Sequence, residues 1–174
     1  MIIYRCVISG DEMFTDVYKI TEPESGLFYV VEGKLTTRKN DDVSKISIGA
    51  NPSADETVEA YEASSVSGVD IALNNDLKET TYTKKQYKLH IKDYVKSIRD
   101  WLKKNNPDRV EDFEKEAAAE IPKLLTDFDN YRFFTGSSMN EQGMVGLLDF
   151  SKEGKPIMLF FKDGLEKVKF VSIQ

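Results

Sequence analysis

The chain has 174 residues, 40% of them hydrophobic and 31% charged, with 24 Lys plus Arg against 30 Asp plus Glu and a net charge of −6. This length fits one domain over 1–174, and an acidic chain has no global attraction for phosphate backbones or anionic lipid, so no nucleic acid is expected as a partner. One Cys, Cys6, and one His, His90, exclude an intrachain disulfide and any Cys-rich or His-rich metal centre.

Met1 to Ile8 is apolar and β-branched and reads as a buried first strand. It has neither the basic leader nor the long apolar stretch of a signal peptide. No apolar run in the chain approaches the ~18 residues of a membrane span. A soluble, cytoplasmic protein is therefore expected. Leu27 to Glu32, Gly33, then Lys34 to Arg38 predicts a hairpin closed by a tight glycine turn, with Leu27, Tyr29 and Val31 on one face.

Composition changes between Asn40 and Gly68. Six acidic residues face Lys45 alone, and six serines accompany them. Too little apolar surface is available there to offset the entropy of ordering, so 40–68 reads as a flexible acidic loop. Val69 to Leu73 then reads as a short strand.

The period switches to helical after Thr83, which with Gln86 forms a capping-box pattern. Tyr87, Ile91, Tyr94, Ile98 and Leu102 make one apolar stripe. Asn106 and Pro107 fit the start of a second helix, along which Val110, Phe113, Ala117, Ile121, Leu124 and Phe128 recur at steps of three and four. The pair predicts an antiparallel helical hairpin over 84–128. Pro122, inside the second helix, predicts a kink rather than a stop. Tyr131–Phe134, Met144–Phe150 and Ile157–Lys162 read as strands, the last two joined by a turn at 151–155, with a final strand over Val168–Ile173. The order indicates a mainly β, α+β domain with the hairpin inserted beside a sheet.

Motif chemistry is sparse. No glycine-rich phosphate loop or nucleophile elbow is present, and no catalytic constellation can be assembled. His90, flanked by Lys88 and Lys92, reads as an exposed surface histidine. Asp127-Phe-Asp129 begins like a calcium loop, but Arg132 and Ser138 occupy the positions where such a loop needs Gly and Glu, so calcium binding is expected to be weak at most. Residues 84–104 carry eight basic side chains against two acidic ones, whereas 107–128 carry seven acidic against three basic. Lys88, Lys92, Lys96, Arg99 and Lys103 fall on one helical stripe. Two readings stand: a solvated face partly paired with the acidic second helix, or a docking strip for an acidic protein surface. Asp11-Glu12 reads as a solvated acid pair in a turn.

The segments Met1-Ile-Ile-Tyr-Arg5, Asp11-Glu-Met-Phe14, Ile48-Gly-Ala-Asn-Pro-Ser-Ala54, Tyr87-Lys-Leu-His-Ile-Lys-Asp-Tyr94, Asn106-Pro-Asp-Arg-Val110, Phe133-Phe-Thr-Gly136, Met144-Val-Gly-Leu-Leu148 and Phe160-Phe-Lys-Asp-Gly-Leu165 occur in order from end to end. Together they resemble the translationally controlled tumour protein family, also called fortilin or histamine-releasing factor. The resemblance implies a β-tent sheet core, similar to a Rab-exchange chaperone, with a projecting helical hairpin and an acidic loop. It implies interaction rather than catalysis: calcium binding, tubulin binding with microtubule stabilisation, and growth-promoting and anti-apoptotic roles through anti-apoptotic proteins. It also implies contact with a translation elongation factor, a nuclear as well as a cytoplasmic location, and release outside the cell as a histamine-releasing factor.

The tubulin-binding region of the family falls on the helices here, over Glu79 to Lys123. An alternative role, nucleotide exchange on a small GTPase of growth signalling, maps to Glu12. The family's regulatory phosphorylation Ser in the acidic loop is not matched exactly; Ser47, next to the expected position, is the candidate the resemblance implies here. Animal members that dimerise do so through a terminal Cys, but this chain ends Lys167-Val-Lys-Phe-Val-Ser-Ile-Gln174, so a monomer is expected. The cysteine pairs that hold zinc in relatives of the fold are missing, so no structural zinc is expected.

Overall fold

A computed structural model describes residues 1–39 and 65–170. Among these, three antiparallel sheets accompany a helical hairpin. The first sheet has the order β11-β1-β2, built from β1 (Ile2–Cys6), β2 (Glu12–Thr15) and β11 (Leu165–Lys169). The second has the order β3-β4-β10-β9-β8-β7. Its strands are β3 (Lys19–Thr21), β4 (Phe28–Glu32), β7 (Lys78–Thr80), β8 (Arg132–Thr135), β9 (Val145–Phe150) and β10 (Pro156–Phe161). A separate ribbon pairs β5 (Leu35–Lys39) with β6 (Ser65–Val69). Three α-helices lie between these strands among the described residues: α1 (Asp70–Asn74), α2 (Lys84–Asn105) and α3 (Val110–Thr126). The α+β class and the inserted hairpin are as expected from the sequence. Among the described residues, no helix is long and apolar enough to cross a membrane.

Aromatic contacts weld these layers together. Phe14 on β2 stacks on Tyr4 at 4.5 Å and meets Phe160 on β10 at 4.7 Å, which joins the two larger sheets. On the opposite side, Tyr87 and Tyr94 of α2 reach Phe133 at 4.9 Å and Phe161 at 5.3 Å, seating the helix on β8 and β10. The stripe Tyr87, Ile91, Tyr94, Ile98 and Leu102 is buried throughout. Each such side chain stabilises the fold by about 1.5–3 kcal/mol on leaving water. Gly164 is required at its position, because a Cβ there would overlap the Tyr94 hydroxyl.

The helix ends follow their local chemistry. The Thr83 hydroxyl accepts from the Gln86 amide at 3.1 Å and the Gln86 side chain accepts from the Thr83 amide at 2.9 Å, completing the capping box. A single 3₁₀ turn at Pro107–Arg109 then reverses the chain into α3. The Asn106 side chain makes no capping bond; the Asn106 backbone carbonyl accepts from the Arg109 amide instead, at 3.0 Å. Helix α3 continues through Pro122 to Thr126, and Phe128 lies in a following 3₁₀ turn rather than on the helix.

Four expectations are corrected. The hairpin across Gly33 does not form: β4 pairs with β3 on one side and β10 on the other, leaving no edge for β5. The Gly33 amide donates to Pro156 and the Lys34 amide to the Asp70 carboxylate, so the chain peels away and β5 pairs with β6. Residues 65–68 of the expected acidic loop are therefore strand, while 40–64 lie outside the described residues. Val69–Leu73 is not a strand but the end of β6 and the start of α1, where the Asp70 carboxylate accepts from both Ile71 and Lys34 amides. The final strand begins directly after Gly164, earlier than Val168, because pairing with β1 runs from Cys6–Leu165 to Ile2–Lys169.

Candidate functional site

The helical hairpin presents a groove of about 790 Å³ along the seam of α2 and α3. Its floor is apolar, formed by Ile91 and Val95 from α2 and by Ala117, Ile121 and Leu125 from α3. Lys88, Lys92, Lys96 and Arg99 form its basic lip. This arrangement follows from helical geometry, since residues at steps of three and four flank the buried stripe and keep their alkyl stems along its edge.

Lys88, Lys92 and Lys96 are exposed and make no ion pair among the described residues. Arg99 is half-buried and pairs across the seam with Glu114 at 3.6 Å. Lys103 is exposed but lies beyond the groove. The charge asymmetry between the helices is thus only slightly neutralised within the hairpin, and the lip keeps three free ammonium groups.

The second sequence candidate lies on a different part of the molecule. Glu12 is exposed and opens β2, opposite Arg5. It stands on an edge strand, not in a turn as expected. Arg5 pairs with Glu166 rather than with Glu12, at 2.8 Å through Nε. Asp11 is not a merely solvated neighbour: its carboxylate accepts from the Ser138 hydroxyl at 2.6 Å and packs where a Cβ on Gly136 would stand. Ser47 lies outside the described residues. Asp127 and Asp129 are exposed on the turn after α3, and no cluster of three or more His, Cys, Asp or Glu side chains suited to a metal occurs among the described residues.

His90 is not a surface residue. It is half-buried on the other side of α2, in a row of rings with Tyr82 at 5.5 Å and Tyr94 at 5.9 Å between centroids. Burial pushes its pKa below the ordinary histidine value, against the opposing pull of the Glu141 backbone and the Asp93 charge. The flanking lysines suggest exposure, but residues two apart in sequence lie about 200° apart around a helix, so Lys88 and Lys92 report on a different face.

These shapes recur in known proteins. A family model described as "Translationally controlled tumour protein" matches residues 1–166. The chain belongs to the translationally controlled tumour protein family. Homologues from Lateolabrax japonicus and Danio rerio are 53% and 52% identical to it, each over 95% of this chain and over 97% and 98% of their own lengths. The translationally controlled tumor-associated protein p23fyp of Schizosaccharomyces pombe superposes with a TM-score of 0.81 at 37% identity, over 98% of this chain and 100% of its own. The Caenorhabditis elegans translationally controlled tumor protein gives 0.69 at 27% identity, over 99% and 100%. Family membership accounts for the tent-like sheet core with its projecting hairpin.

Two features of this family member escape sequence reasoning. One is the ring-lined cleft at His90, whose constituents come from three separated segments. The other is Arg109, which bonds Asp163, Glu116 and the Gly26 carbonyl at once. A basic residue two positions after Pro107 in the interhelical turn is the local signal, but Asp163 and Gly26 are distant in sequence.

Proposed function

We propose that the protein is a non-catalytic, multi-partner cytosolic binding protein whose basic hairpin groove docks acidic, flexible segments, with the tails of tubulin as the leading partner. The observation that supports this reading is the free basic lip of Lys88, Lys92 and Lys96 beside an apolar floor, on a chain that is acidic overall. Family membership supports the associated roles in growth promotion, survival through anti-apoptotic proteins, contact with a translation elongation factor, and weak calcium binding. A small local positive strip explains how an acidic protein approaches an acidic partner.

Each exposed pairing contributes less than about 1 kcal/mol, so affinity comes from several acting together and falls with salt. The test is microtubule co-sedimentation of the triple variant Lys88→Glu, Lys92→Glu, Lys96→Glu. Glu matches Lys in helix propensity, so circular dichroism should be unchanged while co-sedimentation is lost at low salt. Binding that ignores both salt and charge reversal would refute the reading.

A second reading, nucleotide exchange on a small GTPase, draws support from Glu12, which is exposed at a sheet edge with no ion-pair partner among the described residues.

A further inference from the structure

The cleft beside His90 has a one-sided chemistry. It encloses about 670 Å³ between the first half of α2, the Thr80–Tyr82 segment and the loop that follows β8. That volume lies within the ~300–1,000 Å³ of small-molecule pockets. Tyr82, His90 and Tyr94 contribute a continuous row of rings. Asp93 and Glu141 stand at the rim, both exposed, and neither forms an ion pair among the described residues. Ser97, Thr135 and Gln142 add hydroxyl and amide oxygens that can accept.

What the cleft lacks is equally informative. Helix α2 is crowded with lysines, yet no Lys or Arg among the described residues lines this cleft, because Lys88, Lys92 and Lys96 turn to the groove instead. The lysines of α2 thus gather on the seam with α3, while Asp93, which lines both openings, and Glu141, from the loop after β8, bring two carboxylates without an ion pair among the described residues to the cleft.

We propose that this cleft binds a small organic amine in its ammonium form, with an aryl or alkyl body. The carboxylates of Asp93 and Glu141 attract the cation and the ring faces add a quadrupole attraction. The hydroxyl and amide oxygens accept its N–H groups, and the ligand's apolar body lies along the Tyr82–His90 row. A carboxylate or phosphate ligand meets only repulsion from the rim. A neutral isostere fills the same space without the charge term, so discrimination by charge is the signature of this site.

The experiment uses 2-phenylethylammonium on the full chain at neutral pH, followed by amide chemical shifts. Shifts are expected at Tyr82, His90, Ser97 and Gln142, with affinity about tenfold greater than for 2-phenylethanol and no binding of 3-phenylpropionate. The double variant Asp93→Asn, Glu141→Gln should lose about tenfold in affinity. Neither carboxylate makes a hydrogen bond among the described residues that would be needed for folding, and an unchanged amide spectrum checks this. Equal affinity for the alcohol, or full retention of affinity in the double variant, overturns the proposal. So do shifts confined to the α2–α3 groove. Tighter binding of Nα-acetyl-lysine methylamide than of 2-phenylethylammonium overturns the small-molecule assignment and makes the cleft a receptor for a protein lysine.

Discussion

Arg109 and Asp163 are 54 residues apart in sequence and joined by two parallel hydrogen bonds, Nε to Oδ1 at 2.9 Å and Nη2 to Oδ2 at 3.0 Å. The same guanidinium donates to Glu116 on α3 and to the Gly26 carbonyl at 3.3 Å. The turn of the helical hairpin is thereby tied to the end of β10 and to the loop before β4. A guanidinium suits this position because its planar fork serves several acceptors at once.

Removing this cation should be costly. With Arg109→Met, Asp163 is left nearly buried without its partner, and breaking such a pair costs about 3–5 kcal/mol. Urea denaturation should show that loss, and adding Asp163→Asn to the same chain should recover part of it. Equal stability of the single variant and the parent would show that the bridge contributes nothing.

The single histidine permits a clean titration. Burial lowers the folded pKa of His90 below its unfolded value of about 6.5, so the unfolded chain binds the extra proton first. The His90 contribution to stability is full above that pH and is lost as pH falls through the folded value. Asp93 and the Glu141 backbone face the ring and limit the shift. Glu79, lowered chiefly by its hydrogen bond to Arg132, contributes only in a more acidic window, and weakly because the pair is exposed. The His90 Cε1–H resonance should titrate with a midpoint below 6.5; a midpoint at or above that value contradicts the burial argument.

Cys6 should behave as an inert core residue. It is fully buried, and its sulfur accepts from the Ser9 amide at 3.4 Å and the Met144 amide at 3.3 Å. A thiol reagent should label it only under unfolding conditions, and the protein should run as a monomer on a non-reducing gel. Rapid native labelling, or a disulfide-linked dimer abolished by Cys6→Ser, would contradict this.

Glu12→Val isolates the second functional reading. An exposed strand position tolerates a β-branched residue, so stability should change by no more than about 0.5 kcal/mol. If Glu12 contacts a GTPase, the variant should lose any stimulated nucleotide release that the parent shows. Undiminished release would remove Glu12 from the interaction.

The helical hairpin is legible in the sequence because its determinants are local. Thr83 and Gln86 cap it, Pro107 restarts it, and the stripe from Tyr87 to Leu102 repeats at the helical period, so each decision is taken within a few residues. Cys6, Phe133, Leu147 and Phe160 likewise announce buried strands by their apolar runs. The basic stripe from Lys88 to Lys103 follows from the same periodicity, although only the seam with α3 shows that Arg99 is paired and the three lysines before it are free.

Tertiary structure alone decides which strands meet. Nothing near Gly33 reveals that β10 already occupies one side of β4 and β3 the other, so a local hairpin signal there is overridden by pairing partners far along the chain. The short strands β2, β3 and β7 carry too few residues for a period to show, and they exist because a neighbour supplies the ladder. His90 and Arg109 differ in the same way from their sequence surroundings: each owes its environment to segments more than 40 residues away, Glu141 for one and Asp163 for the other. Periodicity records which face of an element is apolar, but the identity of the partner across that face is a long-range property of packing.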